Sequence, residues 1–254
     1  MPHHIYRRHY IKAVVFRIDF PIPIPSIDNS ERPAEFQRRV LEVFPIQEET
    51  KTYKQMAQFS PAGVQGQSKE SILYTFYNSD HTCKIGLDSN FMFIEHTGYQ
   101  GFENFSNLVT LATNSIFEIW PATVVNRLGL RYVNEITIPS GRDVLDWSGY
   151  INGQLLSAIG LYANADNMSR FLVQTEMRSA DYFARILAGI LNPDYPGIIR
   201  KGLFNIDIDI YTNEAVDKQD IRQKVETYHD AVINIFESSI TQGLRDFMDA
   251  ETNA

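Results

Sequence analysis

The chain has 254 residues, of which 44% are apolar and 21% are charged, and these proportions fit an ordinary globular protein with a sizeable core. Its formal net charge of −8 argues against a broad electrostatic attraction to nucleic acid, although it does not exclude a local basic patch. The single cysteine, Cys83, excludes an intrachain disulfide, and no apolar run approaches the ~18 residues that span a bilayer. Because the N-terminus lacks a signal-peptide apolar region, we expect a cytoplasmic protein with no membrane partner.

The first half of the chain predicts strands by alternation and helices by apolar spacing. In chain order the predicted elements are a strand at Tyr10–Phe20, a helix with Ser30 as N-cap that Pro45 closes, a short strand at Thr52–Phe59, a mobile loop at Pro61–Ser68, strands at Ser71–Tyr77, Thr82–Leu87 and Phe91–His96, and a helix at Phe102–Trp120. The mixture indicates an α+β fold with hairpin-connected antiparallel strands.

The second half repeats this mixture. Its predicted elements are a strand at Arg127–Pro139, a short helix at Asp143–Leu156, strands at Ser157–Tyr162 and Arg170–Arg178, an ambiguous segment at Asp181–Leu191, a loop at Asn192–Gly202, a strand at Phe204–Tyr211 and a long helix at Asp217–Met248. The ambiguous segment has the Ala and Leu content of a helix but also suits strands, and the tail after Asp249 is expected to fray. We therefore expect a twisted antiparallel sheet with helices packed on one face.

The two halves resemble each other in element order. Ile-Pro ends the first strand of each half, at Ile22-Pro23 and Ile138-Pro139, and Asn-Ile-Phe-Glu at residues 234–237 echoes Asn-Ser-Ile-Phe-Glu at residues 114–118. This pattern is consistent with a single domain made of two βα(β)3α pseudo-repeats, 1–120 and 121–254. The alternative, which the sequence leaves open, is the chance alternation common in α+β proteins.

The strand that starts at Arg127 contains the most particular pattern. Arg127 and Arg131 flank Gly129 on its polar side, whereas Asn134 lies on the apolar side, where a buried amide needs hydrogen-bond partners. If all strands share one sheet, side-chain parity gathers charged and polar groups on the face that the helices leave open. The residues of that face are Arg17, Asp19, Arg127, Arg131, Glu135, Gln174, Glu176, Arg178, Asn205, Asp207 and Asp209.

Three interpretations of this face stay open. It is a binding surface, with Arg127 and Arg131 gripping a phosphate-bearing or acidic partner, or a solvated ladder of ion pairs. In the third, both arginines only hold neighbouring carboxylates. The binding candidates are Arg17, Arg127, Arg131, Asn134, Glu135, Glu176 and Arg178.

Chemical motifs are sparse. Asp207 and Asp209 on one strand face are weak candidates for a divalent metal site, and we predict neither a metal nor a cofactor. The sequence has no phosphate-loop, G-x-G-x-x-G or G-x-S-x-G signature. Catalytic residues stay unknown.

The motif Arg127-x-Gly129-x-Arg131-Tyr-x-Asn134, followed by Ile-x-Ile-Pro139, resembles a sporadically distributed, functionally uncharacterised prokaryotic family of about this length. Similar flanking features are the Val-Val-Phe-Arg-Ile-Asp-Phe strand at residues 14–20, Phe44-Pro45, the aromatic helix ending at Trp120, and a late helix with His229-Asp230, Phe236 and Ile240. The resemblance covers nearly the whole chain and implies no activity, cofactor or catalytic residue. Its patchy distribution implies a mobile-element or antiviral-defence setting.

The sequence favours a non-enzymatic binding or assembly subunit, because no complete catalytic constellation accompanies its many strands. We expect a protein partner or self-association. The alternative is a metal-dependent enzyme acting on nucleotides or nucleic acid, with Asp207 and Asp209 on the metal and Arg127 and Arg131 on phosphate.

Overall fold

The computed structural model describes most of the chain. The described residues are 6–24, 27, 31–60, 63–137, 143–161 and 167–249. Three expectations fall outside them: Ser30 as N-cap, the Ile138-Pro139 ending of the sixth strand, and fraying of the tail after Asp249. None of the described helices combines the length and the hydropathy that a bilayer crossing requires.

The protein is an α+β protein built on a nine-stranded antiparallel sheet, which confirms the predicted fold class. The strands are β1 (Ile11–Asp19), β2 (Ile46–Ser60), β3 (Gly63–Tyr77), β4 (Cys83–Asp88), β5 (Phe91–His96), β6 (Arg127–Thr137), β7 (Phe171–Arg178), β8 (Phe183–Ile190) and β9 (Leu203–Thr212). Their order across the sheet is β2-β3-β4-β5-β1-β6-β9-β8-β7.

Five α-helices accompany the sheet in the described ranges. They are α1 (Glu31–Val40), α2 (Phe102–Ile119), α3 (Gly153–Leu156), α4 (Ile221–Ser239) and α5 (Gln242–Asp249), with short 3-10 turns at Ile159–Leu161 and Lys218–Asp220. The predicted helix at Phe102–Trp120 is therefore confirmed, and Trp120 is its C-cap.

Contacts divide the chain into two compact units. Unit 1 comprises Met1–Val14, Leu130–Tyr211 and Glu226–Ala254, and unit 2 comprises Val15–Gly129 and Thr212–Val225. Outward from β1 the sheet order is β5, β4, β3, β2, and outward from β6 it is β9, β8, β7, so the first half has one strand more than the second. Three strands follow in reverse chain order on each side, as a duplicated βα(β)3α unit predicts, but β2 has no counterpart in the second half, and the duplication stays a prediction.

The core of unit 2 follows from periodicity. Phe105, Val109, Ala112 and Ile116 recur at helical spacing on α2 and are buried, since that spacing lines one side of a helix. The ring of Phe36 on α1 lies 5.3 Å, centroid to centroid, from that of Phe76 on β3. Full burial of each such side chain stabilises the fold by about 1.5–3 kcal/mol.

The core of unit 1 includes the apolar positions of β8 and β9. Phe204, Ile206, Ile208 and Ile210 alternate along β9 and are fully buried. Branched side chains suit the pleated surface of a strand, so this segment gave the clearest alternation in the sequence. The Trp147 ring packs 5.2 Å from that of Phe204.

The predicted long C-terminal helix is confirmed as α4, but its predicted bounds of Asp217–Met248 are wrong, because two helices occupy this range. α4 ends at Ser239 and α5 begins at Gln242. Between them Ile240 forms a β-bridge with Ile151, and the Thr241 amide donates to the Tyr150 carbonyl at 2.9 Å. The backbone hydrogen bonds at this break are made with a distant segment instead of with the next helical turn. The spacing of apolar residues does not show such a break, because it carries no information on distant hydrogen-bond partners.

Other local predictions also fail. The helix predicted at Asp143–Leu156 shrinks to α3, because the carboxylates of Asp143 and Asp146 accept hydrogen bonds from amides two residues ahead and form turns. In place of the strand predicted at Ser157–Tyr162 a 3-10 turn occupies Ile159–Leu161.

Two further segments are strands. The ambiguous segment at Asp181–Leu191 contains the single strand β8, and the loop predicted at Pro61–Ser68 is wrong from Gly63 onward, where β3 begins. β3 pairs residue by residue with β2. This pairing gives the backbone N–H and C=O groups of the segment their hydrogen-bond partners, and local composition does not predict it because the partners lie on another strand.

Candidate functional site

Burial along β6 alternates as predicted. Leu128, Leu130, Tyr132, Asn134 and Ile136 are buried, whereas Arg131 and Thr137 are exposed and Arg127 and Glu135 are half-buried. Parity therefore places the arginines opposite the core. The contacts of each candidate then differ.

Arg131 grips a carboxylate of the neighbouring strand β9. Its Nε donates to Oδ1 of Asp207 at 2.7 Å and its Nη2 donates to Oδ2 at 2.5 Å. Asp207 is only 9% exposed, while the Arg131 side chain remains 44% exposed above it. This bidentate geometry occupies both carboxylate oxygens, so the structural interpretation of Arg131 has direct support.

A second arginine–carboxylate pair lies beside the first. Arg185 on β8 stands opposite Asp209 on β9, and its Nη2 donates to Oδ2 of Asp209 at 3.1 Å. Glu176 on β7 stands opposite Arg185 in turn. Sequence reasoning missed Arg185 because the helix-or-strand ambiguity of its segment hid the alternation.

These pairs bear on the weak metal candidates. A cation at Asp207 has to displace Arg131 from both oxygens, and one at Asp209 has to compete with Arg185. Within the described ranges, no three His, Cys, Asp or Glu side chains are grouped as a metal ion needs. The arrangement gives these carboxylates arginine partners instead of an open coordination site.

The remaining candidates of unit 1 have ordinary contacts. The Nδ2 of buried Asn134 donates to the Ile206 carbonyl at 3.0 Å. A carboxylate oxygen of Glu135 lies 3.9 Å from Nζ of Lys12 at the surface, and the Arg178 guanidinium lies over the Phe183 ring, 5.3 Å from its centroid. Asn134 therefore meets the requirement for a buried amide by joining β6 to β9.

Unit 1 also contains a small cavity of about 60 Å³. Its polar and aromatic lining residues are Tyr6, His9, Tyr10, Tyr132, Asn134 and Glu237, and apolar side chains complete the lining. Burial raises the pKa of the Tyr6 phenol, and so does its hydrogen bond to Glu237 at 2.6 Å. The volume suits ordered water and is far below the ~300 Å³ at which ligand pockets begin.

Unit 2 has an open cleft of about 620 Å³, within the range of small-molecule sites. Its lining residues are Arg17, Asp19, Phe20, Asn90, Phe91, Asn126, Arg127 and Asn213. They come from the end of β1, the start of β5, the start of β6 and the segment after β9. Of the predicted binding candidates, Arg17 and Arg127 thus meet around one cavity, while the other five belong to unit 1.

Arg17 is held firmly in this cleft. Its Nε donates to Oδ1 of Asp19 at 2.6 Å, and its guanidinium lies 4.4 Å from the centroid of the Phe91 ring. A guanidinium has five N–H donors, and the bond to Asp19 uses one of them. A cation that is already fixed between a carboxylate and a ring loses little side-chain entropy when an anion arrives.

The side chain of Asn126 brings a buried hydrogen-bond acceptor to the same cleft. Its backbone N–H donates to the Asp19 carbonyl at 3.1 Å, which fixes the residue beside Arg17. Its side-chain Oδ1 is buried and, among the described residues, has no hydrogen-bond partner. A buried acceptor without a donor is costly, so a bound ligand or water with an N–H or O–H group relieves that cost.

Sequence reasoning missed Phe91, Asn126 and Asn213. Asn126 and Asn213 lie just outside strands. Side-chain alternation assigns a residue to a sheet face only within a strand, so it made no prediction for these two. The sequence predicts Phe91 in a strand, but its contact with Arg17 depends on the neighbouring strand β1.

No protein-family model matches the chain, and a search of curated proteins finds no match. The family resemblance of the arginine motif therefore stays a prediction.

Proposed function

We propose that the protein is a binding subunit that acts without catalysing a reaction, and that the cleft of unit 2 holds a carboxylate- or phosphate-bearing ligand. The observation that carries the proposal is the meeting of Arg17 and Arg127 in one cleft of about 620 Å³. Guanidinium groups recognise planar or tetrahedral anions through paired N–H donors. The amides of Asn126 and Asn213 add hydrogen-bonding groups for the uncharged part of the ligand.

The lining chemistry favours binding over catalysis. Among the lining residues that the structure describes, the titratable side chains are two arginines and Asp19, and Asp19 is engaged by Arg17. An arginine stays protonated and serves poorly as a general base, and the described lining residues include no Ser, Cys, Lys or His that could act as a nucleophile. The net charge of −8 restricts attraction for anions to such local sites.

Titration calorimetry at low salt tests the proposal with three probes: inorganic phosphate, adenosine monophosphate and a hexapeptide of glutamate. At least one probe is expected to bind, and Arg127→Met is expected to weaken it about 10- to 150-fold, the loss of one hydrogen bond to a charged group. Arg38→Met is the matched control, because Arg38 is exposed on α1 and outside the cleft.

The three probes separate a free phosphate, a nucleotide and an acidic protein segment as ligand sources. The proposal fails if none binds at millimolar concentration, or if Arg38→Met weakens binding as much as Arg127→Met. The mobile-element or antiviral-defence setting belongs to the proposal through the family resemblance. The metal-dependent alternative has no described group of metal ligands in its favour.

A further inference from the structure

Asn90 presents a hydrogen-bond acceptor in the wall of the unit 2 cleft. Its backbone N–H and its Nδ2 donate to Oδ1 of Asp88 at 2.7 and 2.6 Å, and Asp88 is only 2% exposed. The Nδ2 also donates to Oγ of Ser89 at 3.1 Å, and the Asn90 carbonyl accepts from the Phe20 N–H at 2.7 Å. These bonds fix Asn90 and commit the N–H end of its amide, so the Oδ1 end, which has no partner among the described residues, remains for a ligand.

Two further acceptors line the same cleft. Oδ1 of Asn126 is buried without a hydrogen-bond partner in the described part of the chain. Oδ1 of Asp19 accepts from Arg17, which leaves Oδ2 of that carboxylate as an acceptor. Three acceptors beside two arginines suit a ligand that carries N–H donors in addition to its anionic group, because a fully ionised anion brings no donor to them.

Arg17 also gives the cleft a flat surface. One face of its guanidinium lies over the Phe91 ring, 4.4 Å from the ring centroid, and its Nε is fixed by Asp19. The Arg17 side chain keeps 43% of its surface exposed and lines the cleft, so the other face of the guanidinium plane is open to a ligand. Planar rings stack on such a face, as unpaired bases do on arginine in protein–RNA complexes.

We infer that the ligand of the cleft is a mononucleotide whose base carries an exocyclic amino group. The inference rests on the anion site of the proposed function and gives each part of the ligand a partner. The base stacks on the Arg17 guanidinium, and Arg127 binds the phosphate. The amino group donates to the side-chain oxygens of Asn90 and Asn126. A free phosphate leaves these acceptors and the flat surface unused and fills little of a cleft of about 620 Å³, and a glutamate-rich segment has no ring to stack.

A series of matched ligands tests the inference on the unaltered full chain. Titration calorimetry compares adenosine monophosphate with inosine monophosphate, in which an oxygen replaces the amino group, and cytidine monophosphate with uridine monophosphate, which differ in the same way. We expect the amino-bearing member of at least one pair to bind about tenfold more tightly, or better, than its partner and than ribose 5-phosphate. A site that bonds an amino group rejects the analogue without it, because its acceptors are then left unpaired.

Three variants assign the contacts. Asn126→Leu is expected to weaken the amino-bearing nucleotide about tenfold and to leave its oxygen-bearing partner nearly unchanged, whereas misfolding weakens both. Phe91→Leu is expected to weaken both nucleotides about fivefold or more and to leave ribose 5-phosphate unchanged, since it removes the support under the stacking surface. Asn234→Leu, exposed on α4 in unit 1, is the matched control and is expected to change none of these affinities.

The outcomes separate this inference from the proposed function. Equal affinity for ribose 5-phosphate and the nucleotides would overturn the inference and leave the anion site standing. Equal affinity within both nucleotide pairs, or a pair preference that survives Asn126→Leu, would overturn the assigned contacts of the amino group. Binding of the glutamate hexapeptide without binding of any nucleotide would also overturn the inference, since the anion is then supplied by a protein. If none of the phosphate-bearing probes and no peptide binds, the proposed function fails as well.

Discussion

Replacing Arg131 by Met tests directly whether the arginine of the β6 motif stabilises the fold. The variant keeps the apolar stem of the side chain and removes both hydrogen bonds to Asp207. Asp207 stays 9% exposed in a strand buried on both faces and loses its charged partner. Breaking a buried ion pair from one side costs about 3–5 kcal/mol, because the remaining charge is left unpaired.

The expected loss is smaller than that limit. The Arg131 side chain is 44% exposed, so water reaches the guanidinium end of the pair, and well-exposed pairs contribute only about 0–1 kcal/mol. We therefore expect Arg131→Met to lower the free energy of unfolding by about 2 kcal/mol, or roughly 30-fold in the unfolding equilibrium. Arg178→Met, an exposed arginine of the same unit that contacts a ring, is expected to cost less than about 1 kcal/mol.

Urea unfolding followed by the fluorescence of the buried Trp147 measures these differences. The double variant with Asp207→Asn completes a thermodynamic cycle, and a coupling energy of about 1–2 kcal/mol is expected between the two side chains. A change of less than 0.5 kcal/mol in Arg131→Met, or a coupling energy near zero, would refute the structural role. If Arg131→Met leaves stability unchanged but abolishes ligand binding, the binding interpretation of Arg131 is supported instead.

Two further predictions concern pH and metal. Burial lowers the pKa of His96 from its ordinary value of 6.5, with the Asp80 carboxylate opposing, and its Nδ1 is buried with no partner among the described residues. The unfolded chain thus takes up a proton at higher pH than the folded chain, so the His96 contribution to stability is complete above pH 6.5 and is lost as pH falls below it. Urea unfolding between pH 7.5 and pH 5.5 should show a shallower decline for His96→Phe than for the wild type, and equal slopes would contradict the assignment. Titration with Mn²⁺ followed by electron paramagnetic resonance should show no tight site that Asp207→Asn abolishes, because Arg131 holds both oxygens of that carboxylate; a site lost in this variant would favour the metal-dependent enzyme.

Local pattern was sufficient for much of the architecture. Alternation along β6 and β9 and apolar spacing along α2 predicted those elements, because each signal lies within one segment. The antiparallel α+β class followed from the same signals together with short hairpin connections. Side-chain parity also placed Arg131, Asp207 and Asp209 on the polar sides of their strands, but Asp207 and Asp209 are buried there, because side chains of the neighbouring strands cover them.

The elements that were predicted wrongly depend on distant partners. The break between α4 and α5 is made by hydrogen bonds to residues 149–152, far away in the chain. The strand at Gly63 exists because β2 pairs with it, although its glycine-rich composition suggests a loop. In each case a backbone group finds its partner across the fold, and local propensity is overridden.

The sequence by itself determined which residues share one face of a strand, because alternation along a strand is a local property. Only the tertiary structure decided which of these groups meet. Strand order and register bring Arg131 to Asp207 and Arg185 to Asp209, and they bring Arg17, Phe91, Asn126 and Arg127 around one cleft. The physical reason is that charge pairing and ligand recognition act over a few ångströms. The assembled sheet sets the distances between residues that are far apart in the chain, so local pattern does not contain them.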